Sequence, residues 1–191
     1  MNRNFESPKH LRRWLEAQEI DLEVWGRGEH KRVEHLWREI MRGESVLEDA
    51  PPMRLVEVVQ VIVRRGNEIL LEAEQEMRGG GRRVRNRPPA EKMRADEAPL
   101  AAALRCLVEE LEVQPGDVTL LPDTHRKVVN ERDGRSYPGL LTRYTLHIVE
   151  ADVVGLPDHP FSTAEKAKGP GEPICRHFWV WARPPLKDAG G

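Results

Sequence analysis

The run Leu55-Val56-Glu57-Val58-Val59-Gln60-Val61-Ile62-Val63 constrains this chain more than any other feature. Its β-branched side chains are stiff at χ1 and suit a pleated, half-buried surface. Gly66-Asn67 follows as a turn signal, and Glu68-Ile69-Leu70-Leu71 gives a second short strand pattern. A central hairpin results, and its apolar face has to be covered. Helical patterns on both sides supply the cover. Ser7-Pro8 before Leu11, Trp14 and Leu15 reads as an N-cap, a proline in the first turn and an apolar stripe. Val33, Leu36, Trp37, Ile40 and Met41 line one face of a second helix from about Glu29 to Met41, stopped by Gly43.

The Gly/Arg stretch from Arg78 to Pro88 breaks the strand pattern, and a third helix runs from Asp96, as N-cap, to Leu111 through an Ala-rich interior. Strand patterns return at Val118 to Leu121, Arg126 to Asn130 and Leu140 to Val149, with Asp133-Gly134 as a turn. Ser162 or Thr163 is placed to cap a short helix, and His177 to Trp181 is the last strand. The expected class is α/β, a mixed sheet covered by helices in three layers. Residues 1–50 read as a two-helix extension, 51–183 as one domain, and 184–191 as a flexible tail.

Charge excludes some partners. With a formal net charge of −2, the chain has no long-range attraction to polyanions. Any phosphate site has to be local, and Arg78, Arg82, Arg83, Arg85 and Arg87 around Gly79, Gly80 and Gly81 are the local candidate. An exposed loop carrying solubilising charge explains the same residues equally well. No apolar run reaches the roughly 20 residues that cross a bilayer, and no membrane partner is expected. Cys106 and Cys175 belong to no close-spaced metal motif. The start carries no signal-peptide pattern, so the expected location is the cytoplasm, or an organelle interior if a targeting segment was removed.

The stretch PPAEKMRADEAPLAAALRCLVEELEV, from Pro88 to Val113, resembles the box of the Nudix hydrolases, GX5EX7REUXEEXGU with U aliphatic. Glu97 matches the first glutamate, Arg105 the arginine, Leu107 the aliphatic position, Glu109 and Glu110 the paired glutamates, and Val113 the last aliphatic. Three positions depart: Glu91 and Glu112 stand where the box has glycine, and Cys106 where it has the glutamate after Arg. The resemblance implies a Nudix-type α/β/α sandwich behind the helical extension. It implies Mg²⁺ or Mn²⁺ on Glu109 and Glu110, with Glu97 and Arg105 holding the loop-helix-loop shape.

Hard oxygen ligands three or four residues apart on a helix suit such ions, which neutralise a diphosphate while water attacks phosphorus. Cys106 replaces a hard ligand with a softer thiol. Family patterns also place a base on a later loop; Glu165 is the candidate here, with Glu131 and Glu172 behind it. The catalytic set is then Glu109, Glu110 and Glu165, and the substrate-binding set is Arg83, Arg85, Arg87 and Lys92. The bland reading of the paired glutamates is a solvated helix face, and of Cys106 a small buried hydrophobe. His125, His147 and His177 have no ligand spacing and read as structural.

Two functions follow. One is a divalent-metal-dependent hydrolase of a nucleoside diphosphate or related diphosphate compound. The other is a catalytically impaired module of the same fold that binds a nucleotide, RNA or a protein partner, as a subunit of a larger assembly. RNA is the lesser partner, because no aromatic residues interleave the arginines; a protein partner would dock on the N-terminal helices.

Overall fold

The computed structural model describes residues 5–165 and 174–183. Glu172 and the tail from 184 to 191 lie outside them. The first helix begins as its sequence dictates. Ser7 is extended and its Oγ accepts from the His10 N–H, Pro8 occupies the first turn, and α1 spans Pro8–Ala17. The second, α2, spans Val33–Met41, later than the Glu29 start expected, with Arg32 as N-cap. Nine strands lie among the described residues: β1 Val46–Asp49, β2 Pro52–Arg65, β3 Glu68–Met77, β4 Arg82–Arg87, β5 Ala90–Lys92, β6 Val118–Gly134, β7 Tyr137–Val153, β8 Phe161–Ala164 and β9 Ile174–Ala182. The third helix, α3, spans Pro99–Leu111. Strand order is β6-β7-β2-β3-β9-β8, with β1 and β5 on β2 and β4 on β3. The α/β class expected from the sequence is the class found.

Four local expectations are corrected. Helix α3 starts at Pro99, because Asp96 adopts a left-handed backbone (φ +60°) that ends any helix running through it. The Gly/Arg stretch is a hairpin arm, β4, antiparallel to β3. Ser162 and Thr163 lie in strand β8, because pairing with β9 takes the place of a helix cap. The two strand patterns after residue 117 merge into β6.

The chain forms two compact units. The first holds described residues 5–58, 92–97 and 127–147; the second holds 59–91, 98–126, 148–165 and 174–183. In the first, Leu11, Trp14 and Leu15 of α1 and Val33 and Leu36 of α2 pack with Trp25, Leu47, Tyr137 and Leu140. Burial of each such leucine contributes about 1.5–3 kcal/mol. The indoles dock by their edges as well: Nε1 of Trp14 donates to Asp49 Oδ1, of Trp25 to the Pro138 carbonyl, and of Trp37 to the Phe5 carbonyl, each at 2.9 Å. In the second unit, Val59, Val61 and Val63 of β2, Leu70 of β3, Ala102, Ala103, Cys106 and Leu107 of α3 and Trp179 of β9 are buried.

The stop after α2 is tight. Gly43 has φ +71°, and a Cβ there would meet the Ala95 nitrogen at 2.8 Å. Gly43→Ala is therefore expected to lower stability by about 1–3 kcal/mol, read as a lower urea midpoint at unchanged slope. An unchanged midpoint would refute the close approach.

Candidate active site

Strand β3 positions the site through an irregularity. Glu72 faces Trp179 of β9, but Glu74 faces Phe178, so Ala73 is one residue too many on β3. A bulge of this kind reverses the face on which later residues lie. Leu70 and Glu72 before the bulge and Gln75 after it are consequently buried on one face. On β9, alternation puts His177 and Trp179 on the buried face, with 2% and 1% exposure. The last turn of α3 brings Glu110, also buried, and β8 leads into Glu165.

Thr163 ties these elements together. Its Oγ1 donates to the Glu110 carbonyl at 2.6 Å and accepts from the Trp179 indole at 2.8 Å. Backbone Glu165 N–H donates to the Cys175 carbonyl at 3.1 Å. Glu165 is thereby fixed against β9.

Four ionisable side chains converge. His177 Nδ1 lies 2.5 Å from Glu72 Oε1 and 3.3 Å from Glu110 Oε2, and Nε2 lies 3.3 Å from Glu165 Oε2. Burial acts to depress the His177 pKa. Hydrogen bonds to Glu165 and Glu72, with the charges of Glu110 and Glu72, outweigh it and push the pKa up to about 10. For Glu72, burial acts to raise the pKa, and the His177 bond and charge and then Arg85 hold it below the usual range. Arg85 Nε reaches Glu72 Oε2 at 3.2 Å.

The residues expected from the sequence are distributed as follows. Glu110, Glu165 and Arg85 meet in this centre. Glu109 pairs with Arg105 at 3.2 Å, one helical turn apart. Arg83 donates to Gln75 through Nε at 3.2 Å, and Arg87 is exposed at the end of β4. Glu97 accepts from the Arg94 N–H at 2.9 Å, closing the turn before α3. Cys106 is fully buried. Glu112 ends α3 in a left-handed conformation (φ 59°), at a position where the box has glycine. Glu131 pairs with Arg143 at 2.6 Å on an exposed part of the first unit.

Lys92 belongs to the first unit, in a different cluster. Glu39, 5% exposed, receives Lys31 at 2.8 Å, Arg54 at 2.6 Å and Lys92 at 2.7 Å. Ser45 Oγ also donates to it, and Arg54 Nε donates in turn to that hydroxyl. Such a net is built to hold a buried charge.

Sequence reasoning missed Glu72 and set His177 aside. Signals for both existed. His177 shares its strand face with Trp179, and Glu72 interrupts the apolar face marked by Leu70. What the sequence hides is the bulge at Ala73.

Glu72, Glu110 and His177 offer three donor atoms that all lie within 4.8 Å of one another. At position 106, where the box has a glutamate, stands a buried thiol, and Glu109 pairs with Arg105 at 3.2 Å. The mixed set of two carboxylates and an imidazole does fit a divalent ion.

The model of the NUDIX domain matches residues 53–169. No curated relative matches the chain. Among solved structures, a C. elegans Ap4A hydrolase in a binary complex is similar at 15% identity over 66% of this chain and 79% of that one, with a TM-score of 0.40. A NUDIX hydrolase from Nitrosomonas europaea has 18% identity over 64% and 70%, at 0.39. A Nudix hydrolase from M. smegmatis, RenU, has 19% identity over 73% and 78%, at 0.39.

Proposed function

From the premise that the chain belongs to the Nudix family, we propose that the centre made by Glu72, Glu110, Glu165 and His177 hydrolyses a diphosphate bond with the help of a divalent metal. The substrate is a nucleoside diphosphate joined to a second group, or a related diphosphate compound. The observation that carries the reading is the convergence of three carboxylates and an imidazole at the last turn of the box helix.

Glu72 and Glu110 would hold the cation. When bound there, a divalent ion, Mn²⁺ or Mg²⁺, would neutralise charge on the diphosphate and make water easier to deprotonate. Glu165 is the general base: its carboxylate takes a proton from water as the new oxygen–phosphorus bond forms and the bridging phosphoanhydride bond breaks. His177 fixes that carboxylate through Nε2 at 3.3 Å. Arg85, Arg83 and Arg87 present guanidinium groups along β4, whose planar donors match phosphate oxygens. Glu109 keeps Arg105 in place on the helix.

A second reading rests on Cys106. Where a buried thiol replaces a hard ligand, the same centre binds a nucleotide without turning it over, and the chain serves as a module with a partner. Phosphorus NMR on a panel of dinucleoside polyphosphates, nucleotide sugars and nucleoside triphosphates, with Mg²⁺ and with Mn²⁺, separates the two. Cleavage products with at least one class are the expected result. Nucleotide binding with no cleavage under either ion would replace the first reading with the second.

A further inference from the structure

We propose that Glu72, Glu110 and Nδ1 of His177 form a mixed oxygen and nitrogen site for a divalent first-row transition ion, with Glu165 orienting the imidazole from its other nitrogen. The proposal deepens the metal-dependent reading above and rests on it for its place in catalysis.

Geometry is the first argument. Zinc–nitrogen and zinc–oxygen bonds of about 2.0–2.2 Å in a tetrahedral arrangement put neighbouring donors roughly 3.3–3.6 Å apart. His177 Nδ1 and Glu110 Oε2 already stand 3.3 Å apart. Glu72 Oε1, at 2.5 Å from Nδ1, has to withdraw by about 1 Å. An ion seated among these atoms takes the place of the proton on Nδ1, and Nε2 keeps its own for Glu165.

The surrounding shell is the second argument. Metal-bound histidines almost always donate their other ring N–H to a carboxylate, a carbonyl or water, which fixes tautomer and ring plane. Glu165 Oε2 at 3.3 Å from Nε2 is placed for that role. The indole of Trp179, with its ring centroid 5.9 Å from that of His177, packs the imidazole on one side.

Charge is the third. The carboxylates of Glu72, Glu110 and Glu165 gather around one imidazole. Their negative charge favours a divalent ion, with the imidazole ligating in its neutral form. Ligand type then decides the ion: imidazole favours zinc, cobalt and their neighbours, whereas Mg²⁺ prefers oxygen alone and retains its water.

Calorimetry on the full chain, stripped with a chelator and titrated with Zn²⁺, Mn²⁺ and Mg²⁺, tests this with electron spin echo modulation of the Mn²⁺-loaded wild type. About one ion per chain is expected, Zn²⁺ tighter than Mg²⁺ by about tenfold or more, with nitrogen modulation from a bound imidazole. His177→Gln should erase the modulation and the preference, and Glu165→Gln should weaken Zn²⁺ by about 10–100-fold. Wild type without nitrogen modulation, or His177→Gln with unaltered Zn²⁺ affinity, overturns the proposal. The spectrum needs no variant, so a poorly folded His177→Gln leaves the question open to a decision. Hydrolysis followed on the same samples separates the two readings. Zn²⁺ on His177 without turnover supports this site and removes the hydrolase; Mg²⁺-driven turnover without an imidazole signal does the reverse.

Discussion

Glu165→Gln is expected to lower kcat by about 10²–10⁴, the usual worth of a positioned general base. The amide keeps the volume and can still meet the imidazole, but it cannot take a proton from water. At saturating metal, KM should change little, because the loss falls on the transition state rather than on ground-state binding. Glu131→Gln is the matched control. Glu131 is an exposed residue of the first unit, paired with Arg143, and its replacement should leave kcat unchanged. Steady-state phosphate release on both variants checks the pair. Equal losses would remove Glu165 from the role of base.

Glu39→Gln is expected to cost stability on a similar scale, about 3–5 kcal/mol, because removing one partner leaves buried cations uncompensated. Arg54 is 2% exposed and cannot turn to water without unpacking, and its guanidinium also lies over the Tyr137 ring, 5.1 Å from the centroid. Burial alone acts to raise the Glu39 pKa; Lys92, Arg54 and Lys31 outweigh it and hold the carboxyl far below the ordinary 4.5. The folded pKa is therefore depressed, so the contribution to stability is complete above the ordinary value and is lost as pH falls toward the folded one. Urea melts of wild type should show falling stability as pH drops below 4.5, and Glu39→Gln should flatten that slope. A variant with the same midpoint and the same acid slope as wild type would contradict this account.

Much of the fold was legible where local chemistry and tertiary packing agree. Ser7 and Pro8 start α1 as their geometry demands, Gly66 turns the β2–β3 hairpin with φ +56°, and the box helix ends where its aliphatic pattern stops. Strand β4 was hidden because almost every residue in it is polar or charged. Its stability comes from partners on β3: Arg82 with Glu74, Arg83 with Gln75 and Arg85 with Glu72. An arginine run reads as a loop until the complementary acids across the hairpin are seen. Thr163 signalled a helix cap, yet its hydroxyl bridges Glu110 and Trp179 in a strand.

The candidate site was half legible for the same reason. Residue spacing on a helix is a local property, so Glu109, Glu110 and Arg105 stood out from the box pattern. Glu72 and His177 meet across two strands, in a register set by one extra residue at Ala73. No spacing rule in one sequence encodes that meeting.

The most direct measurement of the central claim is hydrolysis by Glu72→Gln beside Glu74→Gln, at saturating metal and on the best substrate of the panel. Both acids lie on β3 two residues apart, but Glu72 sits against His177 at 2.5 Å and Glu74 pairs with Arg82 at 2.8 Å. Loss of turnover in Glu72→Gln with wild-type turnover in Glu74→Gln is the result this account predicts. Full turnover in Glu72→Gln would contradict it and move the chemistry to another part of the chain.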